Sequence, residues 1–285
     1  MQGRVTRVIS GFYDIIDLKT KEKYSLLRGS GSLRNQNNSP LVGDIVEYDP
    51  KGFVTQIYPR KNFFTRPKVA NIDQALVIIS IKEPNFSTLL LDKFLILIEN
   101  SQITPIIIVT KIDLDVSNYP NLLKDYENMG YTIFYINNLE KKVSQELLNT
   151  ISNKINFVVG QTGVGKTSFI NSVLGENYQV QEISKSLNRG KHTTRVVQII
   201  TKNNISIIDT PGFSSFELNL DKLDLPYAFE IFSSSIGKCK FFSCQHIQEN
   251  DKICDIKNRV NKGLIPASRY QNYVHFWRKS NEKNN

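Results

Sequence analysis

Hydrophobic and polar positions alternate in short runs through the first part of the chain, up to about residue 62. The runs are rich in β-branched and aromatic residues, and residues typical of turns separate them: Gly3–Ser10, Phe12–Asp17, Lys23–Leu27, Asp44–Asp49 and Phe53–Tyr58. Five short strands predict a small β-barrel of the OB-fold type, whose open face and loops can bind oligonucleotides. An SH3-like barrel with a purely structural role would give the same pattern.

From Ala70 the pattern changes to continuous apolar runs that alternate with amphipathic segments. This alternation predicts an α/β domain with a parallel sheet covered on both faces. The predicted strands are Ala75–Ile81, Pro105–Val109, Tyr131–Ile136, Ile155–Val159, Val196–Thr201 and Ile205–Ile208. The predicted helices between them are Thr88–Asn100, Asn121–Met129 and Ser144–Lys154.

A glycine-rich turn follows the strand Ile155–Val159 and leads into a helical pattern. It fits the phosphate-binding pattern G-x-x-x-x-G-K-[ST] with Gly160, Gln161, Thr162, Gly163, Val164, Gly165, Lys166, Thr167 and Ser168. Its backbone N–H groups and the helix N-terminus can converge on phosphates. Lys166 would reach the β- and γ-phosphates, and Thr167 would bind Mg²⁺. The alternative is an ordinary turn, which the flanking strand and helix disfavour.

Two more loops follow predicted strands at the sheet edge where open α/β sheets bind ligands. The first consists of Thr110, Lys111, Ile112 and Asp113. A carboxylate at Asp113 can accept hydrogen bonds from N1–H and the exocyclic amine of guanine, a pair of donors that adenine cannot supply in that arrangement, so it would select GTP over ATP. In the second loop, Asp209 can hold Mg²⁺ through water and the Gly212 N–H can contact the γ-phosphate. By itself, the Lys111–Asp113 turn would not indicate guanine binding, because solvated Lys–Asp turns are common.

The net charge of +9 is divided unevenly along the chain. Residues 1–68 hold 12 Lys/Arg against 6 Asp/Glu, residues 69–218 hold 13 against 14, and residues 219–285 hold 11 against 7. Two basic flanks around a nucleotide-binding middle indicate contact with a polyanion such as RNA. Charge that serves only solubility would give the same distribution. Neither a signal peptide nor a membrane span is expected, which makes the cytoplasm the default compartment.

All three cysteines lie in one window with a histidine: Cys239, Cys244, His246 and Cys254. Three thiolates and one imidazole complete a tetrahedral shell for Zn²⁺, and a complete protein shell indicates a structural site. The alternative is three thiols placed by chance, because an odd count in a reducing compartment disfavours disulfides. Lysines and arginines surround the window, and Arg269, Tyr270 and Tyr273 follow it. Such interleaved cationic and aromatic residues are typical of surfaces that stack on RNA bases and contact its phosphates.

The order of the three loops is unusual. In an ordinary GTPase the phosphate-binding loop comes first, whereas here Thr110–Asp113 precedes Gly160–Ser168, which precedes Asp209–Gly212. This order indicates a circular permutation. With the predicted barrel and the Cys/His window, the whole chain resembles the RsgA family of small-ribosomal-subunit-dependent GTPases. The resemblance implies a GTPase that acts in late maturation of the small subunit and binds its rRNA.

The resemblance also implies roles for residues outside the three loops. Gly190–Thr194 is similar to the first switch of the family, so Thr193 or Thr194 would close onto Mg²⁺ and the γ-phosphate; the sequence does not say which. The family assigns the position of His192 to hydrolysis, although a lone histidine in a basic loop is often a bystander. Asn137 stands where the guanine-carbonyl contact is expected. Thr110 stands where the commoner residue is asparagine, whose amide braces this loop against the phosphate-binding loop, so a lower nucleotide affinity is expected.

These observations predict three domains: an OB-fold barrel (1–68), a circularly permuted GTPase domain (69–218) and a helical zinc-binding domain with a basic tail (219–285). The chain is expected to act as a monomer with Mg²⁺, GTP or GDP and one Zn²⁺. The segment Gly212-Phe-Ser-Ser-Phe offers no amide to orient water, so stimulation by the small subunit is expected. Two alternatives are an rRNA-binding assembly factor whose hydrolysis is incidental, and a P-loop kinase, which Asp113 and Thr193–Thr194 disfavour.

Overall fold

The structure is a computed structural model, and it describes residues 1–35, 39–115, 122–137, 140, 143–175, 197–209, 220 and 223–282. Within these ranges, the polypeptide forms a barrel, a larger α/β sheet and a C-terminal helical region around a Cys/His cluster.

The barrel is built from five strands: β1 (Gln2–Ile9), β2 (Phe12–Asp17), β3 (Lys23–Gly29), β4 (Ile45–Asp49) and β5 (Phe53–Ile57). Their order is β1-β2-β3-β5-β4, and an additional β1–β4 pairing closes the barrel. The pair β3–β5 is parallel and the others are antiparallel. Side chains that alternate along the strands fill the interior, among them Val5, Ile15 and Val46. This topology confirms the predicted OB-fold barrel.

The α/β sheet contains β8 (Gln74–Ser80), β9 (Thr104–Thr110), β10 (Thr132–Tyr135), β11 (Ile155–Val159), β12 (Gln198–Lys202) and β13 (Ile205–Asp209). Their order is β10-β9-β8-β11-β13-β12. The first five strands in this order are parallel, as predicted. The prediction is wrong for β12, which pairs antiparallel with β13. Both residues of their connecting turn, Asn203 and Asn204, have positive φ, as a two-residue hairpin turn requires.

Helices cover both faces of this sheet. They are α2 (Thr88–Asn100), α3 (Lys124–Asn128), α4 (Gln145–Ile151) and α5 (Lys166–Leu174). Along β8, Val77 and Ile79 pack with α2 on one face, whereas Leu76 and Ile78 pack with α4 and α5 on the other. Because these five strands are parallel, the carboxyl ends of β8, β9, β10, β11 and β13 lie along one edge of the sheet.

The barrel and the sheet are joined into one eleven-stranded sheet by an antiparallel contact between β1 and β12, at Arg7 and Gln198. A short helix, α1 (Gly31–Asn35), follows β3. A separate hairpin, β6 (Phe63–Thr65) and β7 (Lys68–Ala70), lies between the two parts in the chain. No helix within the described ranges has the length and apolar character needed to cross a bilayer.

The C-terminal region has two 3₁₀ turns, at Leu225–Ala228 and Glu230–Phe232, and two helices, α6 (Asp255–Asn261) and α7 (Ala267–Glu282). The sequence pattern predicts a short helix over Leu223–Ser233 and a disordered tail from Lys279, whereas the structure forms the two turns and α7 continues to Glu282. The core of this region combines Phe229, Phe232 and Tyr273 with Ile96 of α2. The C-terminal region therefore shares its apolar core with a helix of the α/β sheet.

Candidate functional site

The glycine-rich loop leaves the carboxyl end of β11 and enters α5. Gly160 has a φ of +150°, and a Cβ atom there would lie 2.2 Å from the Ile78 carbonyl oxygen. No other residue fits this approach to β8 without a shift of the backbone. Gly165 caps α5 with a φ of +90°. The Lys166 ammonium donates to the carbonyl oxygens of Gly160 (2.8 Å) and Gln161 (2.7 Å), which holds the loop in a tight curl.

The loop Thr110–Asp113 leaves the carboxyl end of β9, which is separated from β11 only by β8. Lys111 adopts a left-handed conformation with a φ of +56°, and Asp113 lies in a 3₁₀ turn, Ile112–Leu114. The Asn137 side chain follows β10, the neighbour of β9, and donates to Glu140 over 3.1 Å. Parallel pairing therefore brings the Thr110–Asp113 loop and Asn137, which carry the predicted guanine contacts, to the edge that holds the glycine-rich loop.

Thr110 connects the two loops directly. Its side chain is fully buried, and its Oγ1 lies 2.6 Å from the Val164 carbonyl oxygen of the glycine-rich loop and 3.0 Å from the Ile79 carbonyl oxygen of β8. A hydroxyl has one hydrogen to donate, so the two carbonyls share it, with the shorter contact favoured. The absence of a bracing asparagine amide leads to the expectation of a lower nucleotide affinity. The structure shows that the threonine hydroxyl makes the brace itself.

A third loop, which the sequence analysis missed, packs against both of these loops. It follows β8 and contains Glu83 and Pro84. The Glu83 carbonyl oxygen accepts a hydrogen bond from the Lys111 ammonium. The Ser80 hydroxyl donates to the Pro84 carbonyl oxygen over 2.7 Å. A Cβ atom at Gly163 would contact Pro84 at 3.6 Å. This loop could have been found in the sequence from its position, because it also follows the carboxyl end of a parallel strand.

Asp209 is the last residue of β13, the strand next to β11. The parallel register pairs Phe157 with Ile208, so Asp209 reaches the same edge as the start of the glycine-rich loop. Thr167 is the second residue of α5. His192, Thr193, Thr194 and Gly212 lie outside the described residues, and their roles stay predictions.

The four residues of the Cys/His window come together in the C-terminal region. The Nδ1 atom of His246 lies 3.6 Å from the sulfur of Cys239, 3.3 Å from that of Cys244 and 3.5 Å from that of Cys254. All four candidate ligand atoms lie within 4.8 Å of one another. The group is mostly buried, and the four residues could hold a metal ion.

Burial changes the protonation of these groups in the metal-free protein. It raises the pKa of the Cys244 and Cys254 thiols and lowers the pKa of His246, so all three favour their neutral forms. Backbone N–H groups of Asp255 and Lys257 point at the sulfurs of Cys239 (3.4 Å) and Cys254 (3.5 Å), and such donors stabilise thiolates once a cation is bound.

Two tyrosines of α7 hold the backbone of this cluster in place. The Tyr270 hydroxyl donates to the His246 carbonyl oxygen over 2.7 Å, and the Tyr273 hydroxyl donates to the Gln245 carbonyl oxygen over 2.7 Å. Arg269 and Tyr273 are almost completely buried. The interpretation of these two residues as RNA contacts is therefore wrong, because their side chains face the interior.

Two family models cover almost all of the barrel and the α/β sheet. The model described as RsgA GTPase matches residues 57–219, and the model described as RsgA N-terminal domain matches residues 2–53. The chain belongs to the RsgA GTPase family. Its three loops at one sheet edge, found in the order guanine loop, phosphate loop and Asp209, are those of a circularly permuted GTPase.

Relatives and solved structures are similar to this RsgA-family chain over nearly its full length. A protein of Mesomycoplasma hyopneumoniae (strain 7448) named small ribosomal subunit biogenesis GTPase RsgA is 56% identical over 100% of both chains. The crystal structure of YjeQ from Thermotoga maritima has a TM-score of 0.84 and 31% identity, covering 98% of each chain. The crystal structure of YloQ, described as a circularly permuted GTPase, has a TM-score of 0.81 and 31% identity, covering 99% of this chain and 95% of that one.

The Thr110 brace leads to a prediction about nucleotide affinity in this family member. Valine at position 110 keeps the shape of threonine but cannot donate to the Val164 carbonyl, which would then lack this buried partner. A lost buried hydrogen bond costs about 1–2 kcal/mol, so we expect GTP affinity to fall about tenfold in Thr110→Val. Titration with a fluorescent GTP analogue measures the change. Thr110→Ser, which keeps the hydroxyl, is the control, and equal affinities of the two variants would contradict the brace.

Proposed function

We propose that this chain binds GTP at the edge formed by Thr110–Asp113, Gly160–Ser168 and Asp209, and hydrolyses it while acting in the assembly of the small ribosomal subunit. The observation that carries the proposal is the 2.6 Å contact between Thr110 and the Val164 carbonyl, which makes one site from two loops separated by 54 positions. Similarity to proteins named for small-subunit biogenesis supports the biological role.

The residues of this edge divide the recognition of GTP between them. Asp113 would accept hydrogen bonds from the guanine base, while the stem of Lys111 packs beside it and Asn137 contacts the base carbonyl. Backbone N–H groups of the glycine-rich loop and the Lys166 ammonium would bind the phosphates. In the structure the Lys166 ammonium contacts two carbonyl oxygens. A phosphate is a stronger hydrogen-bond partner than a carbonyl, so it is favourable for Lys166 to leave the carbonyls and bind the phosphates of GTP.

Mg²⁺ is the cofactor that this donor set fits. Thr167 is in the first turn of α5 and Asp209 ends β13, the strand next to β11, and these residues would offer a hydroxyl and a carboxylate, the hard oxygen ligands that Mg²⁺ prefers. When bound with GTP, Mg²⁺ neutralises charge on the phosphates. His192, Thr193 or Thr194, and Gly212 would complete the site from the two switch segments.

An external partner is proposed to complete the hydrolytic site, because Gly212–Phe216 contains no amide side chain to position water. The small subunit and its rRNA are that partner, docked through the basic flanks. The chain would then work in the cytoplasm, where it meets GTP, GDP and maturing subunits.

The experiment that tests this function compares GTP hydrolysis by the purified chain with and without small ribosomal subunits. We expect slow hydrolysis alone and at least a tenfold increase with subunits, because a single group that stabilises the transition state is worth about 10²–10³ in rate. Large subunits serve as the control and should give no increase. Fast hydrolysis by the chain alone, without a gain from small subunits, would overturn the proposal.

Zn²⁺ is the metal that best fits the Cys/His cluster. Tetrahedral Zn²⁺ with sulfur at about 2.3 Å and nitrogen at about 2.0–2.1 Å requires sulfur-to-nitrogen separations of about 3.6 Å. The three separations observed, 3.6, 3.3 and 3.5 Å, agree with this. Mg²⁺ and Ca²⁺ do not fit this cluster, because they prefer oxygen ligands to soft thiolates. The four protein ligands leave no open position, so the site would be structural.

Removal of this metal is expected to lower the thermal stability of the protein. Without a cation, burial leaves Cys244 and Cys254 as thiols, and the cluster no longer cross-links the segment 239–254. Because metal binding contributes folding free energy, we expect dialysis against a chelator to lower Tm by at least about 5 °C, and Zn²⁺ to restore it. Calorimetry with a metal assay measures both. A metal-depleted protein with an unchanged Tm would contradict the structural role.

A further inference from the structure

Two phenylalanines in the cluster region have no place in the apolar core. Phe242 is 103% exposed and Phe241 is 51% exposed. They belong to the four-residue loop Lys240–Ser243, which spans the gap between two of the candidate metal ligands, Cys239 and Cys244. A single exposed apolar residue is common, but adjacent aromatic rings that turn away from a nearby core point to a partner.

The backbone of the Lys240–Ser243 loop is held firmly although its side chains are exposed. The Lys240 N–H donates to the Ile253 carbonyl oxygen over 2.9 Å, and the Cys244 N–H donates to the Phe241 carbonyl oxygen over 3.2 Å. The flanking cysteines add further restraint when a metal is bound. A ring presented on such a loop loses little conformational entropy when it binds a ligand.

Exposed lysines accompany the two rings. Lys238 and Lys240 precede them in the chain and are exposed, and the Lys240 ammonium lies 5.8 Å from the centroid of the Phe241 ring. Lys252 is also exposed, one residue before the partner of the Lys240 N–H. A partner for this surface must offer both flat apolar faces and negative charge. Unpaired RNA offers both, whereas duplex RNA hides its base faces in the stack.

We propose that Phe241 and Phe242 form a stacking site for unpaired bases of RNA, with Lys238, Lys240 and Lys252 binding the adjoining phosphates. This inference rests on the proposed function, because it names the RNA feature that the C-terminal region of a small-subunit assembly factor recognises. The candidate RNA contacts of this region are therefore exposed residues that can reach a ligand, and not Arg269 and Tyr273, which are buried.

The test uses the metal-loaded full chain and a short single-stranded RNA oligonucleotide, with binding followed by fluorescence anisotropy. Base–aromatic stacking implies a loss of about tenfold in affinity for Phe242→Ala, and Phe242→Tyr should retain most of the affinity. The matched control is Tyr227→Ala, which removes a 65% exposed aromatic residue of the same region and should change nothing. Metal content and Tm of each variant confirm that the fold is intact.

The dependence on salt separates stacking from charge. Phe242→Ala should leave the slope of log K against log salt unchanged, whereas Lys240→Ala should reduce its magnitude by about 0.7, the value for one phosphate contact on a single strand. A duplex RNA of equal length should bind both Phe242→Ala and the unchanged chain alike. Unchanged affinity of Phe242→Ala for single-stranded RNA would overturn the inference.

Two further outcomes would overturn the inference. If the unchanged chain binds phosphatidylserine vesicles and Phe242→Ala does not, the loop recognises a membrane surface instead. If small subunits stimulate GTP hydrolysis and Phe242→Ala needs no higher subunit concentration for half-maximal stimulation, the stacking site fails while the proposed function stands. Absence of stimulation in the unchanged chain is the distinct failure of the proposed function.

Discussion

Replacing Arg269 by methionine is expected to lower the free energy of unfolding by about 3–5 kcal/mol, because it leaves a buried carboxylate without its cation. Arg269 lies on α7 and Asp92 lies on α2, and both side chains are completely buried. Their hydrogen-bonded ion pair joins the C-terminal helix to the α/β sheet. The substitution keeps most of the volume, so the loss comes mainly from the unpaired charge.

The surroundings of Arg269 explain why this loss is expected to be large. Its second guanidinium nitrogen donates to the Tyr131 hydroxyl over 2.9 Å and lies 3.4 Å from a Glu99 carboxylate oxygen. Burial raises the pKa of Glu99, and the Arg269 charge opposes that rise. Without Arg269, Asp92 is a completely buried carboxylate with no cation beside it, and the mostly buried Glu99 carboxylate loses its cation as well.

Urea unfolding of the metal-loaded protein measures this prediction. Arg278→Met removes an exposed arginine of the same helix and should change stability by less than about 0.5 kcal/mol. Adding Asp92→Asn to Arg269→Met removes the orphaned charge, while the amide oxygen that replaces the carboxylate can still accept from the Tyr126 hydroxyl, which donates to Asp92 over 2.7 Å. The double variant should recover part of the loss. If Arg269→Met matches Arg278→Met, the ion pair does not stabilise the junction.

Replacing Lys166 by methionine is expected to reduce subunit-stimulated GTP hydrolysis by about 10²–10³-fold, the effect of deleting one charged or hydrogen-bonding group that stabilises the transition state. The Lys166 ammonium is held over the loop by the Gly160 and Gln161 carbonyl oxygens and is the only lysine of the glycine-rich loop. Methionine keeps the length of the side chain but provides no charge for the phosphates.

Lys154→Met is the matched control, because Lys154 precedes the same strand β11 at the opposite edge of the sheet and donates to Gln74 over 3.1 Å. The hydrolysis rate of Lys154→Met should stay within about twofold of that of the unchanged chain, because Lys154 lies away from the nucleotide site. Hydrolysis at a saturating GTP concentration, with small subunits present, gives kcat for each protein. A Lys166→Met protein that keeps the full kcat would contradict the assignment of Lys166 to the phosphates.

Local sequence pattern predicted most elements because each strand or helix has its own period. The strand Ile155–Val159 and the helix Thr88–Asn100 have the bounds expected from their apolar residues. The direction of β12 was missed because strand periodicity is the same in parallel and antiparallel pairs, and only the Asn203–Asn204 turn could have revealed the hairpin. Helix α7 was not predicted, because its cations and aromatics fit an RNA-binding segment equally well, and only tertiary packing shows that Tyr273 and Phe276 face the core.

The sequence by itself determined the order of the nucleotide loops, the OB-fold strand pattern and the four candidate metal ligands, because each depends on residues close together in the chain or on a fixed spacing. Only the tertiary structure decided that Thr110 braces the phosphate loop, that Arg269 is buried against Asp92, and that Phe242 is exposed. These facts depend on which surfaces meet across 54 or 177 positions of the chain. Residue type alone does not specify that packing, since an arginine or a phenylalanine can satisfy its chemistry inside or outside the fold.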